Sequence, residues 1–450
     1  MKCGGCKTNA IASNPIPFFV RSDWLAAGVV WAVSLFVYML TLAPTVTLEH
    51  SGVLAVGADH LGIGRVPGYP VWHLCGKLFT SVFSFVRYRG HPNPAWALNF
   101  MSALFGSMSS ALVALLVSRV GRELASGLQA TSASKAAASG IAAGLLLAFS
   151  HVMWSQSVIT ETHTLTLFFF MLFFLATLAW LVRRTSRLAN LLALVFGVGV
   201  AQSELLVLLI PSLVLALAFV DKALCRDVSL TAISLCLIGW LSLRQSVPSV
   251  WVAAAAVAGA VLVLGSAARF LPRGRLAASM LTLVLCGLLL YAYLPIASEG
   301  NPPINWGYPR TWEGFKHVIS RGQYEKIVPT NVFAQPQVFL GQVKDHLRLL
   351  SLQFSFPLVL LGLLPIIRVS RFRGAWLHWG AVCLLGFCMF SIILLIGASP
   401  TGDIQDAFVQ RTKFIPSFAL WSLFIGCGIM LVLDWLERLG EAWQQRHQRA

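Results

Sequence analysis

Charge is scarce in this sequence. Asp, Glu, Lys and Arg together make up 11% of its 450 residues, where water-soluble domains carry roughly 25%. With 57% of residues hydrophobic and a mean hydropathy of +0.76, too few polar groups exist to cover a soluble surface. The apolar residues are gathered instead into uninterrupted runs, and a helix needs roughly 20 such residues to cross a hydrocarbon core about 30 Å thick. The chain reads as all-α and integral to a membrane.

Negative charge is scarcer still: 17 Asp and Glu stand against 33 Lys and Arg, for a net charge of +16. Nucleic-acid binding needs a basic face, and these basic residues are scattered in small groups between apolar runs, so no nucleic-acid partner is expected. Paired cysteines are lacking as well. Of nine only Cys75 falls in an external loop, which excludes an external disulfide framework within one chain. Cys3 and Cys6 form a lone CxxC with no second pair, a weak metal signal. No GxxxxGK[ST], no HExxH and no GxSxG in a strand-turn-helix context occurs. Asp59–His60 and Glu161–His163 are too sparse for a metal site, so neither a metal nor another cofactor is expected.

About twelve transmembrane helices are predicted, near 24–43, 94–118, 137–153, 163–182, 188–201, 205–220, 228–243, 249–267, 276–296, 350–367, 375–397 and 415–435. The first is read as an anchor, being longer than a signal-peptide core and lacking a convincing cleavage site. One set of connections carries Lys2, Lys7 and Arg21, then Arg119, Arg122 and Lys135, Arg183, Arg184 and Arg187, Lys222 and Arg226, Arg269, Arg273 and Arg275, Arg368, Arg371 and Arg373, and finally Arg438, Arg446 and Arg449. These hold 20 of the 33 basic residues, and the positive-inside rule makes them cytoplasmic. An even number of spans leaves both tails, 1–23 and 436–450, on that side, with a polytopic domain over 24–435 between them.

The opposite side receives three external loops: a large one over 44–93, a second long one over 297–349, and a shorter one over 398–414. Within the first, 70–86 is apolar but short of a span, as in a re-entrant or interfacial helix. These loops and the outer helix ends hold most of the histidines and carboxylates. Solvated loops account for most of them, but less well for Glu161, in SVITETHTLTLFFF, and Glu204, in GVGVAQSELLVLL. Each lies within apolar sequence, where a charge is costly unless paired or wetted. An outward polar cavity is therefore expected. Arg411 and Lys413, in QRTKF before the last span, suit a lipid phosphate or headgroup, and arginine offers phosphate a paired set of charged hydrogen bonds. Arg321 and Tyr324, in SRGQYEK, are further candidates.

TLAPTVTLEHSG and LGIGRVPGYPVW, then MWSQSVITETHTLTLFF, NPPINWGYPRTWEGFKHVISRGQYEK and PTGDIQDAFVQRTKFIP, resemble a widespread family of polytopic membrane proteins. That family is related to the animal transmembrane protein O-mannosyltransferase and to the GT-C superfamily of polyprenyl-phosphate-sugar-dependent glycosyltransferases. The resemblance runs in order over nearly the whole chain. It implies a GT-C-like fold and transfer of a sugar, mannose among the candidates, from a polyprenyl-phosphate donor to a protein or glycan acceptor, with membrane lipid as the surrounding partner. It also implies a bacterial inner (plasma) membrane location with the active site on the periplasmic side, and an acidic catalytic base in the first external loop. Glu49 is the acidic residue nearest the first span and Asp59 the second candidate. Relatives place an acid directly before the Ser-Gly and another after it, where this chain has His50 and Val53. They also have His-Pro before Pro-Gly-Tyr-Pro, where this chain has Arg65 and Val66, which makes Arg65 a third candidate for the donor phosphate. His50, Glu161, Glu204, Arg321 and Tyr324 are expected to line the cavity.

Two other classes stay open. A transporter of lipid or solute would show internal repeats and paired broken helices, and no clear repeat is visible. A non-catalytic partner of a glycosylation system would show departures such as His50 and Val53.

Overall fold

The computed structural model describes residues 17–124, 130–244, 250–324, 328–400 and 403–449. The CxxC of Cys3 and Cys6 lies outside the described residues, as do Lys2 and Lys7. In chain order the helices are α1 (Arg21–Leu40), α2 (Ser51–Asp59), α3 (Pro70–Val82), α4 (Pro94–Leu124), α5 (Ala130–Ala148), α6 (His151–Ser157), α7 (His163–Arg183), α8 (Ser186–Gln202), α9 (Ile210–Val220), α10 (Lys222–Leu243), α11 (Val250–Phe270), α12 (Gly274–Leu288), α13 (Tyr293–Glu299), α14 (Trp312–Ile319), α15 (Pro336–Phe354), α16 (Phe356–Leu361), α17 (Leu364–Ile367), α18 (Ala375–Cys388), α19 (Leu394–Ala398), α20 (Ile404–Gln410) and α21 (Ile415–Arg449). Strand is confined, among the described residues, to a two-residue hairpin pairing Arg87–Tyr88 with His91–Pro92.

Eight of the described helices are long and apolar enough to cross a bilayer, and two helix pairs pass the same test but are bent, by 69° and 103°. Ser186–Gln202 and Glu204–Val220 are shorter apolar helices. The chain is a multi-pass integral membrane protein, and each of the twelve predicted segments has a helical counterpart.

Several boundaries move. The segment predicted at 350–367 is a bent pair, and its helix starts at Pro336, inside the stretch taken for the second external loop. Lys344, Asp345 and Arg348 lower the hydropathy of 336–349 without breaking helical hydrogen bonds, which hides the helix from a hydropathy reading. The bend falls at Ser355, with φ 65°. Pro357, one residue into α16, has no N–H to give to the preceding turn. The last span likewise begins near Phe408 rather than 415, and its helix runs to Gln448.

Between lipid-bathed helices burial of apolar surface gains little, so close packing at small residues carries the contact. Gly140 and Gly144 on α5 form such a pair. A Cβ on Gly140 would stand 2.5 Å from the Ala114 carbonyl oxygen, and one on Gly144 2.8 Å from that of Ser110. Most of the apolar stretch of α21 is buried, whereas α11 is almost entirely exposed, so α21 is central and α11 peripheral.

The two long loops, after α1 and after α13, are knitted together. Ile63 N–H donates to the Ile304 carbonyl at 2.8 Å, Trp306 N–H to the Ile63 carbonyl at 3.1 Å, and the Tyr293 hydroxyl to the Gly62 carbonyl at 2.8 Å. Ile63, Val66, Leu294 and Val318 are fully buried where the loops meet. This joint sits beside the site described next.

Candidate functional site

Six stretches of chain converge on a cavity of about 430 Å³, within the roughly 300–1,000 Å³ typical of small-molecule sites. Its lining includes Glu49, His50, Arg65, Tyr69, Glu161, His163, Glu204, Arg321 and Lys413. The helix ends around it are the start of α7, the end of α8 and the end of α19, with the turn that leads into α21. These are the ends remote from Arg183, Arg226 and Arg371.

Glu49 and His50 come from the turn before α2. Glu49 adopts φ 68°, a left-handed conformation that costs a non-glycine residue on the order of 1–3 kcal/mol. It is held there by its neighbours: Thr47 N–H donates to the Ser51 hydroxyl at 3.0 Å, and Leu54 N–H to the His50 carbonyl at 3.0 Å. Both side chains are exposed at the cavity mouth. Partial desolvation by the cavity wall, and then the charge of Arg65, lower the His50 pKa.

Glu161 lies in the link between α6 and α7 and is 1% exposed. Its backbone is fixed from two directions. The Trp72 indole donates to its carbonyl at 3.2 Å, and its N–H donates to the Ser102 hydroxyl at 3.4 Å. Oε2 accepts the Thr162 N–H at 3.3 Å and lies 3.9 Å from His163 Nε2, while Oε1 is buried without a hydrogen-bond partner. Burial drives its pKa up to about 7; the charge of Arg65 opposes the rise and that of Glu49 adds to it.

Glu204 opens the short 3₁₀ turn before α9 and is ion-paired with Arg321 of the long loop after α13. Arg321 Nη2 also donates to the Tyr69 hydroxyl at 3.4 Å. The pair thus clasps that loop to the membrane helices. Arg65 feels the charges of Tyr69, Glu161 and Tyr324. Lys413 enters from the turn Arg411–Phe414. Among the described residues, neither Arg65 nor Lys413 takes part in the ion pairs of the site. Negative and positive groups therefore face one another across the cavity, with two cations left for an anion.

Three predicted residues do not line it. Asp59, at the last turn of α2, is 3.7 Å from Lys77, whose ammonium also donates to the Asp59 carbonyl at 2.5 Å. A carboxylate there opposes the helix dipole, and Lys77 offsets it. Tyr324, 44% exposed, is not among the lining residues. Arg411 points to a second cavity, because successive residues of a 3₁₀ turn project about a third of a turn apart. Its guanidinium lies 3.9 Å from the Phe408 ring centre.

Tyr69, Thr162, Thr166 and Ser203 also line the cavity and were not singled out from sequence, and His163, weighed there only as a metal ligand, lines it too. Tyr69 is hidden in a proline-glycine turn, but the TETHT run before an apolar helix carried a legible signal of polarity. Gln202 Nε2 donates to the Thr162 carbonyl and the Thr166 hydroxyl, both at 3.4 Å, closing the apolar end of the site. Among the described residues no three His, Cys, Asp or Glu side chains converge as metal ligands would.

Residues 51–225 match the family described as the N-terminal domain of the protein O-mannosyl-transferase TMEM260. The chain resembles the protein O-mannosyl-transferases. It is 25% identical over 382 residues to protein O-mannosyl-transferase TMEM260 of Mus musculus, covering 81% of this chain and 44% of the relative. It is 31% identical over 81 residues to protein O-mannosyl-transferase tmem260 of Dictyostelium discoideum, covering 18% and 9%. The chain therefore spans less than half the length of the curated relatives it matches. The stretch matched to the family takes in Arg65, Tyr69, Glu161, His163 and Glu204, and begins two residues after Glu49.

Proposed function

We propose that the chain is a GT-C-type membrane glycosyltransferase that moves a sugar, mannose by its likeness to the O-mannosyl-transferases, from a polyprenyl-phosphate donor to a hydroxyl of a protein or glycan. The observation that carries this reading is the cavity itself, where carboxylates face unpaired cations at the ends of membrane helices. A polyprenyl chain stays among the lipids while its phosphate and sugar emerge at such a place.

Glu49 takes the proton of the acceptor hydroxyl as that oxygen bonds to the anomeric carbon. The bond from that carbon to the phosphate oxygen breaks, and its electron pair leaves with the phosphate. Arg65 and Lys413 stabilise the departing charge. Glu161, with an unpartnered oxygen and a pKa near 7, orients the sugar and keeps Arg65 in place. The site faces outward, periplasmic or luminal, because the basic loops occupy the other end of the helices. The relatives compared are eukaryotic and lend no support to the bacterial inner membrane expected from sequence.

One observation favours a second reading as a transporter. The two bent helix pairs meet where Val152 N–H donates to Gln353 Oε1 at 2.9 Å, and paired broken helices build transport sites. The deciding experiment incubates purified protein in nanodiscs with radiolabelled polyprenyl-phosphate sugars and a membrane-protein acceptor extract. Label entering the acceptor supports the transferase. Label confined to the donor with every sugar, from folded protein, overturns it and leaves transport or a non-catalytic role.

A further inference from the structure

Arg411 and Lys413 are two residues apart, yet they serve different cavities. Lys413 lines the one described above. Arg411 lines a second, of about 280 Å³, with His346 and Arg348 on α15, Gln410, and an apolar wall that includes Leu352 and Phe414. We propose that this second cavity binds the phosphate headgroup of a membrane lipid, separately from the sugar-transfer cavity.

The polar groups suit an anion. His346 is 8% exposed, and both its ring nitrogens are buried without hydrogen-bond partners. A buried imidazole with neither nitrogen satisfied costs on the order of 1–3 kcal/mol for each group left unpaired. Its ring is packed at a tilt against Phe414, 4.7 Å between centres, so it cannot swing out to find water without breaking that packing. Arg411 Nε is likewise buried and unpartnered. With Arg348 at the rim, two guanidinium groups and an N–H donor face one space, the set that recognises phosphate oxygens. Asp345 is the single carboxylate in the lining; it is exposed at the rim.

The source of the phosphate follows from the walls. Leu352 is 69% exposed on the outer face of α15, and Leu349 and Leu395 continue the apolar surface into the cavity. Acyl chains can lie along this surface while the headgroup reaches Arg411. Gln342 is occupied, donating to the Pro400 carbonyl at 3.0 Å and accepting from Thr330 at 3.0 Å, and so fixes the rim rather than the ligand.

The test is lipid titration by native mass spectrometry of the purified full chain. It compares phosphatidylglycerol and inorganic phosphate against wild type, the double variant Arg348→Gln/Arg411→Gln, and Lys413→Gln. Expected is retention of phosphatidylglycerol by wild type and by Lys413→Gln, weakened about tenfold in the double variant, as loss of charge-assisted contacts implies. Equal retention by the double variant overturns the proposal, as does an equal loss in Lys413→Gln, which would mean one shared site. Competition by inorganic phosphate as strong as by lipid overturns the lipid assignment. Unchanged melting temperatures show that a loss is not unfolding. Because no step reads sugar transfer, its result is independent of the transferase reading.

Discussion

A buried carboxyl with one oxygen unpartnered is costly to ionise, and Glu161 is kept in that condition by Trp72 and Ser102 gripping its backbone. Burial raises its pKa from 4.5 to about 7, so the folded protein binds this proton more tightly than the unfolded chain. Folding stability therefore falls as pH rises from about 4.5 to 7, by on the order of 3 kcal/mol. Glu161→Gln should flatten that slope, read as melting temperature against pH, with wild type losing ground to the variant as pH rises. An identical slope in both would mean the carboxyl is not strained. Glu204 and Arg321 are both substantially exposed, side chains 38% and 40%, so their pair contributes little to stability, about 1 kcal/mol or less. Its effect should appear in the binding of donor: Arg321→Ala raises KM severalfold with a melting temperature nearly unchanged. Sequence revealed both glutamates as out of place in apolar surroundings. It did not reveal their partners, since Arg321 is more than a hundred residues from Glu204 and no local pattern connects them.

Breaks in helices place the cavity as much as the helices do. Ser203 ends α8, Ser355 bends the α15–α16 pair, and a π turn over Met389–Ile393 interrupts the span that runs from α18 into α19. Such a turn adds a residue and shifts the helix phase; the residues that follow it, Leu394, Gly397 and Ala398, line the cavity. Hydropathy registers none of these breaks, which explains why twelve apolar segments could be read from sequence while the helix at Pro336 could not. At the opposite helix ends, Asp23 is fully buried and accepts from Ser118 at 2.7 Å and from Arg122 Nη2 at 2.7 Å. Removing one partner of a buried pair costs about 3–5 kcal/mol, so Arg122→Ala should lower the melting temperature sharply. Asp23→Ala/Arg122→Ala should lower it less than the two single changes together. At the α4–α5 crossing, Gly140→Leu would drive a side chain into the Ala114 carbonyl; aggregation or loss of the monodisperse protein peak is the expected result.

At the scale of the whole molecule, the cavity and the basic loops lie at opposite ends of the bundle, and this polarity was legible from the distribution of arginine alone. In a background without native cysteines, Ser84→Cys, exposed in the loop that follows α3, should react with a membrane-impermeant maleimide in intact cells or sealed vesicles of outward orientation. Arg371→Cys should react only after permeabilisation. The reverse pattern would put the cavity on the cytoplasmic side and remove the basis for an external acceptor. The resemblance to O-mannosyl-transferases was also legible, through motifs that turn out to lie along the cavity wall. Asp59 was attractive from sequence for its nearness to Glu49 along the chain, and α2 carries it away from the cavity toward Lys77. The measurement that bears most directly on the cavity as the place of sugar transfer is the kcat/KM of transfer for wild type, Glu49→Gln and Asp59→Asn in the same lipid. A fall of about 10²–10⁴ in Glu49→Gln, the range of a lost general base, with Asp59→Asn within a few-fold of wild type, is the expected result; full activity in Glu49→Gln would contradict it.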